Sequence, residues 1–338
     1  MTEAEISENL FSSFEQIFPY EKLGLAPGET ELGVEYLFTL ILDALKNGIR
    51  ESLPVLSTLL SICILTVLIS YFSFDEKGRA MAESAAMTFF ALAIYAQLKP
   101  VLSSLYLSLS ALLEFTAALG PVLSAVMLAF GNTASAGSEA LSMTLVTSFI
   151  SLIIENVLMP LSCAVFVFAM ASAASEREAS KLVKTLKNTF FTIFGTLMAL
   201  LISSLALQNT LAASKDSAYL RTARQMMGGM IPVVGTALSS SLSSLISAFG
   251  YIKGVFGVLS IAFILSIFIP TLLSLLFVRL SFSLSASFME FSSMPGGVRV
   301  FSAFLAGIDT LLGLFVMSFL SVIFALVFFM KGGANLAW

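Results

Sequence analysis

Histidine is absent from this sequence, and only two cysteines, Cys63 and Cys163, occur in its 338 residues. Without histidine the commonest metal ligand and general base is missing. Each cysteine lies inside an apolar run, where a free thiol behaves as a small hydrophobe, and a metal site needs several ligands at close spacing. No disulfide, metal or cofactor is expected. The sequence also lacks a clustered carboxylate pair, a nucleophile elbow and the G-x-x-x-x-G-K-[ST] phosphate loop, so no catalytic residue is assigned and the reading is non-enzymatic.

Charge is the second scarcity. Only 11% of the residues are charged, against roughly 25% in a soluble domain. Hydrophobic residues make up 58% and the mean hydropathy is +0.98. That balance describes an all-α polytopic membrane bundle. The formal net charge of -4 comes from the first fifty residues, where acids outnumber Lys22, Lys46 and Arg50; the remainder is mildly basic, which argues against a nucleic-acid partner.

A bilayer core needs about 20 apolar residues per helix. Uncharged runs of that order lie between Glu51 and Asp75, Glu114 and Glu139, Glu155 and Glu176, Lys187 and Lys215, Arg224 and Lys253, Lys253 and Arg279, and Asp309 and Lys331. A shorter run at 84–98 adds another. Roughly seven to nine spans are expected, in one transmembrane domain over 53–338. Lys99 and Pro100 break the pattern there, and 101–130 reads as one crossing or two.

Before it, residues 1–52 form an amphipathic arm. Leu10, Phe11, Phe14, Ile17 and Phe18 share one helical face that Pro19 ends, and Leu37, Ile41, Leu45 and Ile49 recur opposite Glu35, Asp43 and Lys46. The arm either packs at the membrane surface or docks a partner. The start "MTEAEISENLFSSFEQIF" has no basic n-region or apolar h-region of a signal peptide; insertion begins at the first span, or a signal has been removed.

The loop at 131–139 carries no basic residue, whereas 176–187 carries Arg177, Lys181, Lys184 and Lys187. The positive-inside rule puts the second in the cytoplasm. A weak repeat runs through the later chain: "GPVLSAVMLAFG" resembles "IPVVGTALSSSL", "MPLSCAVFVFAMAS" resembles "IPTLLSLLFVRLS", and "FGTLMALLISS" parallels "AGIDTLLGLFVMS". The offset stays at about 110 residues, as a real repeat requires. Its units would be 118–215 and 229–330, inverted if each contributes three passes and parallel if each contributes two.

The stretch "RTARQMMGGMIPVVGTALSSSLSSLISAFG" at 221–250 reads as an interrupted element. In hydrocarbon, glycine and proline are tolerated where protein or a water-filled cavity satisfies the freed backbone, so Gly228, Gly229, Pro232 and Gly235 point away from lipid. They serve close helix packing or line a pathway. Arg221 and Arg224, at i and i+3, are candidate headgroup anchors or partners of an acid. Glu114, Glu155 and Asp309 sit in or beside apolar runs, where charge is costly and usually paired. Glu155 lies five residues before Pro160, whose kink would open backbone groups to it in the bundle interior; the alternative is a helix-end carboxylate within reach of water.

These residues resemble one family. "YLRTARQMMGGMIPVVGTALSSSLSSLISAFGYIKGVFGV", with "LGPVLSAVMLAFGNTASAGSEAL", "MPLSCAVFVFAMASAASE" and "ASKLVKTLK" upstream in the same order, is similar to stage III sporulation protein AE of endospore-forming bacteria over roughly 118–330. Arg221, Thr222, Ala223, Arg224, Gly229, Ile231, Pro232, Val233, Val234 and Gly235 match its central motif, as a structural signature only. The resemblance implies a multi-pass protein of the mother-cell membrane surrounding the forespore. There it would work with sister membrane proteins and a forespore-side partner as a secretion-like channel, energised by a separate ATPase subunit. An extracytoplasmic arm, which the family's usual signal peptide implies, requires an odd number of passes before 176–187.

The expected function is therefore a non-enzymatic component of a sporulation channel, its partners the bilayer, the sister proteins and copies of itself. The alternative is a secondary permease with repeat-related halves, motivated by the repeat and the intramembrane acids.

Overall fold

The computed structural model of the chain describes residues 34–71, 76–129, 131–158, 179–230 and 235–331, with isolated positions between 160 and 171. Within them lie six α-helices: α1 (Val34–Tyr71), α2 (Glu76–Ala129), α3 (Thr133–Ile153), α4 (Ala179–Met230), α5 (Gly235–Phe291) and α6 (Pro295–Lys331). The described residues contain no strand, so the all-helical expectation holds.

All six helices are long and apolar enough to cross a membrane. The described residues thus supply fewer crossings than the seven to nine expected. One reason is that 84–98 and 101–130 belong to a single helix, α2, which runs through Pro100 and Pro121. A proline removes one helical hydrogen bond, but α2 is held on both sides of Pro100 by Leu98 and Leu105, 6% and 1% exposed. Packing keeps it continuous. The expected run between Glu155 and Glu176 lies largely outside the described residues, and 221–250 holds the last turns of α4 and the first of α5.

α1 likewise passes position 52, the expected end of the arm, without interruption; residues 1–33 lie outside those described. α2, α4 and α5 contain 54, 52 and 57 residues. At 1.5 Å per residue each is about 80 Å long, well beyond a hydrocarbon layer of about 30 Å.

Contacts fix the directions. Lys187 meets Asp309, and four residues on in both helices Phe191 lies against Gly313, so α4 and α6 are parallel. A Cβ on Gly313 would fall on the Phe191 ring, so this crossing needs a residue without a side chain. Phe282–Phe301 and Phe268–Phe315 make α5 and α6 antiparallel, with ring centroids 6.0 and 5.5 Å apart. Ser108 and Thr271 share a hydroxyl hydrogen bond of 2.7 Å, and Phe115 packs on Phe263, setting α2 against α5. α3 is antiparallel to α4, because Ser135 meets Asp216 and Ser142 meets Gln208.

α3 and α5 therefore point one way and α2, α4 and α6 the other, while α1 packs on α5 with Gly48 against Phe277 and Glu51 accepting from Ser274 Oγ. The chain leaves α3 and begins α4 at the same end of the bundle. Of the expected repeat, the segment from Met159 lies largely outside the described residues. The run from Gly120 closes α2, whereas the run from Ile231 leads into the start of α5.

Two turns show why the hairpins form. At the end of α2, Gly131 takes φ +77°, its amide bonds Leu128 O, and the Asn132 amide bonds Met127 O. This paired closure needs a left-handed residue, which glycine supplies without steric cost. At the end of α5, Ser293 takes φ 56° in the same closure on Glu290 and Met289, and Pro295 opens α6, a first-turn position where its missing amide costs nothing.

The core is divided. One apolar cluster runs through Leu109, Leu119, Ile150, Leu205, Phe315 and Phe319. A second contains Leu59, Cys63, Phe90, Phe282, Phe301 and Phe304. Along α6 the change falls between Ile308, in the second, and Leu311, in the first.

Candidate functional site

Asp309 lies in that gap. Its Oδ2 accepts from Lys187 Nζ of α4 and its Oδ1 from Arg279 Nε of α5, each at 2.5 Å. One carboxylate thus ties three helices. The side chains of Lys187, Arg279 and Asp309 keep 28%, 47% and 21% of their exposure, so the cations retain contact with the surroundings while the acid is the more enclosed group. A carboxylate with two charge-assisted partners can be held where a lone one would be expelled.

A second polar region lies where α3 starts. The backbone amides of Ala134 and Ser135 donate to the two oxygens of Asp216, at 3.1 and 2.8 Å. Asn132, the residue at the cap position, makes no side-chain capping bond. Asp216 is 4% exposed, and the helix N-terminus it faces carries partial positive charge that stabilises a buried anion. From there one face of α3 is polar and buried: Ser135, Ser138, Glu139 and Ser142, at the i, i+3, i+4, i+7 spacing that aligns side chains along a helix. Across from it α4 presents Gln208, which accepts from Ser142 Oγ at 3.5 Å, and buried Asn209. Further up, Val146 and Leu205, both 0% exposed, continue the packing as apolar.

A third feature is a groove of about 360 Å³ between α2 and α3, with Thr116, Gly120, Pro121, Ser124, Thr144 and Ser148 in its wall. Its threonines and Ser124 return their hydroxyls to the carbonyl four residues back, as Thr116 to Leu112 and Ser124 to Gly120. That arrangement leaves a surface small in outline and satisfied in hydrogen bonding.

Arg221, Arg224, Gly228 and Gly229 fall in the continuous last turns of α4; of the arginine side chains nothing is described. Pro232, with 231–234, lies outside the described residues, and Gly235 is the first residue of α5. The glycine pair itself is thus helical, within an element described to Met230. Glu155 does not reach the bundle interior. It is exposed and accepts from Ser151 Oγ at 2.9 Å, within a π-helical turn, Ile154–Leu158. Pro160, itself exposed, follows two residues later, and its ring clashes with the carbonyl four positions back, which accounts for the widened turn. Glu114 is exposed. Of the three acids singled out in the sequence, only Asp309 joins helices.

In the sequence Glu139 only bounds an uncharged run, and Asp216 follows Lys215, which bounds another. The signal that marks them is the serine spacing on α3 and the seven-residue interval from Asn209 to Asp216 on α4, two polar faces that only their pairing makes meaningful.

Six apolar helices long enough to cross a membrane, three of them tied by a charged clasp at the change between two cores, define a polytopic α-helical membrane protein. The family model for Stage III sporulation protein AE matches residues 19–332. The chain belongs to that family. A curated relative, Stage III sporulation protein AE of Bacillus subtilis (strain 168), is 25% identical over 178 residues, 52% of this chain and 45% of the relative; the match spans less than half of that protein's length. No solved structure matches the chain.

Proposed function

We propose that this protein is a non-enzymatic membrane component of a secretion-like channel between mother cell and forespore, resident in the mother-cell membrane around the forespore. The family match over 19–332 carries the reading, and the six membrane-capable helices support it. With the basic segment 176–187 on the cytoplasmic side, three membrane-capable helices among the described residues, α1, α2 and α3, precede it. That is the odd number an extracytoplasmic N-terminal arm needs. The partners are the sister membrane proteins of the same sporulation operon and a forespore-side channel protein.

The test is affinity purification of the tagged chain from sporulating cells at the engulfment stage. Recovery of the sister membrane proteins supports the reading; their absence from a stably inserted bait overturns it. A second reading, a permease, is favoured by the buried carboxylates Glu139 and Asp216, since membrane-embedded acids often couple to ions. Solute flux in reconstituted vesicles that follows an imposed cation gradient would select it.

A further inference from the structure

Most described hydroxyls in this bundle are satisfied by their own helix: Thr144 bonds Ala140 O and Thr147 bonds Met143 O, at 2.8 and 2.7 Å. Ser138 on α3 differs. Its Oγ is buried without a hydrogen-bond partner, as are Asn132 Oδ1 and Asn209 Nδ2. The three residues are 8%, 4% and 8% exposed. They converge on one seam. Ser138 stands between Ser135, whose amide bonds Asp216, and Ser142, whose hydroxyl bonds Gln208; Asn209 follows Gln208 on the opposite helix.

A buried polar atom without a partner is costly, and three of them along one seam are normally met by water. Glu139 and Asp216, 1% and 4% exposed on the same seam, give it negative character. The polar stretch begins at the Gly131–Asn132 turn between α2 and α3 and stops at Val146 and Leu205.

We propose that the α3–α4 seam is a water-accessible cleft that favours cations, open at the Asn132 end and closed at Val146 and Leu205. The inference rests on the chain being multi-pass and not on its place in a channel complex.

The test uses the full chain with Cys63 and Cys163 replaced by alanine and single substitutions Ser138→Cys, Ser142→Cys and Asn209→Cys. Thr133→Cys reports the open end, and Leu145→Cys, 39% exposed on the outer face of α3, reports the lipid side. Membrane-impermeant methanethiosulfonates, one cationic and one anionic, are applied to intact cells and to inverted vesicles. Ser138→Cys and Asn209→Cys should react from the side that labels Thr133→Cys, the cationic reagent on the order of tenfold faster than the anionic, with Leu145→Cys protected. Protection of 138, 142 and 209 from both sides while 133 reacts would show a dry, packed seam and overturn the proposal. So would labelling of 145 as fast as of 138. Positions 138 and 209 lie on different helices, so a variant that fails to insert leaves the other to decide. Failure to recover sister proteins would leave this result untouched.

Discussion

Asp216 caps the helix in which Ser135 stands, from 81 residues away in sequence. The carboxylate accepts two amides of the first turn of α3, which Asn132 leaves without a side-chain acceptor. α3 and α4 are thereby joined through backbone groups, and the register between them is set at that point.

Replacing Asp216 with alanine should cost about 1–2 kcal/mol, the usual range for a lost cap with its dipole interaction. Asp216→Asn keeps one acceptor oxygen and should cost less. Thermal unfolding in detergent checks the order wild type, asparagine, alanine. Equal melting temperatures for all three would mean that α3 starts without help from α4.

The clasp predicts a coupled response. Asp309→Leu leaves Lys187 and Arg279 close together without their anion, and breaking such a partly buried group should cost roughly 1–3 kcal/mol, discounted for the exposure of the cations. Asp309→Leu combined with Lys187→Met removes one cation and restores apolar volume, so its cost should fall below the sum of the single changes. A double-mutant cycle on detergent melting reads the coupling. Strict additivity would show that the pair contributes nothing.

At the α4–α6 crossing, any side chain at Gly313 meets the Phe191 ring. Gly313→Ala should cost about 1–3 kcal/mol by overpacking, and Gly313→Leu should lower membrane-inserted protein sharply. Phe191→Ala in the same chain should return part of the loss, measured as folded yield and melting temperature.

Glu155 is the contrasting case. Its described contact is with Ser151, one turn earlier on an exposed face, so Glu155→Leu should change stability by no more than about 0.5 kcal/mol. If sporulation fails while the melting temperature holds, the carboxylate contacts something outside this chain.

The sequence reading and the described helices differ in how uncharged runs map onto helices. Each uncharged run was read as a crossing, because about 20 apolar residues suffice for one. Lys99–Pro100 and the Gly228–Pro232 stretch were read as interruptions within it. Proline and glycine weaken a helix locally by a few kcal/mol, and burial of neighbours such as Leu98 and Leu105 outweighs that at Pro100, leaving α2 unbroken. In the quoted stretch the helix runs past both glycines before it ends at Met230. Among the acids, sequence position marked Asp309 correctly as a residue needing a partner but could not tell it from Glu155, since both sit in apolar surroundings along the chain.

Composition by itself determined that this is a membrane-embedded helical protein, because 58% hydrophobic and 11% charged residues cannot be arranged as a soluble domain. The motif around 221–235 placed it in its family. The tertiary structure decided which charges meet and which polar faces oppose one another. Lys187 and Asp309 stand 122 residues apart and Ala134 and Asp216 stand 82 apart; hydropathy is a property of each segment alone, whereas pairing depends on helix direction and register, which are fixed only when the apolar faces pack.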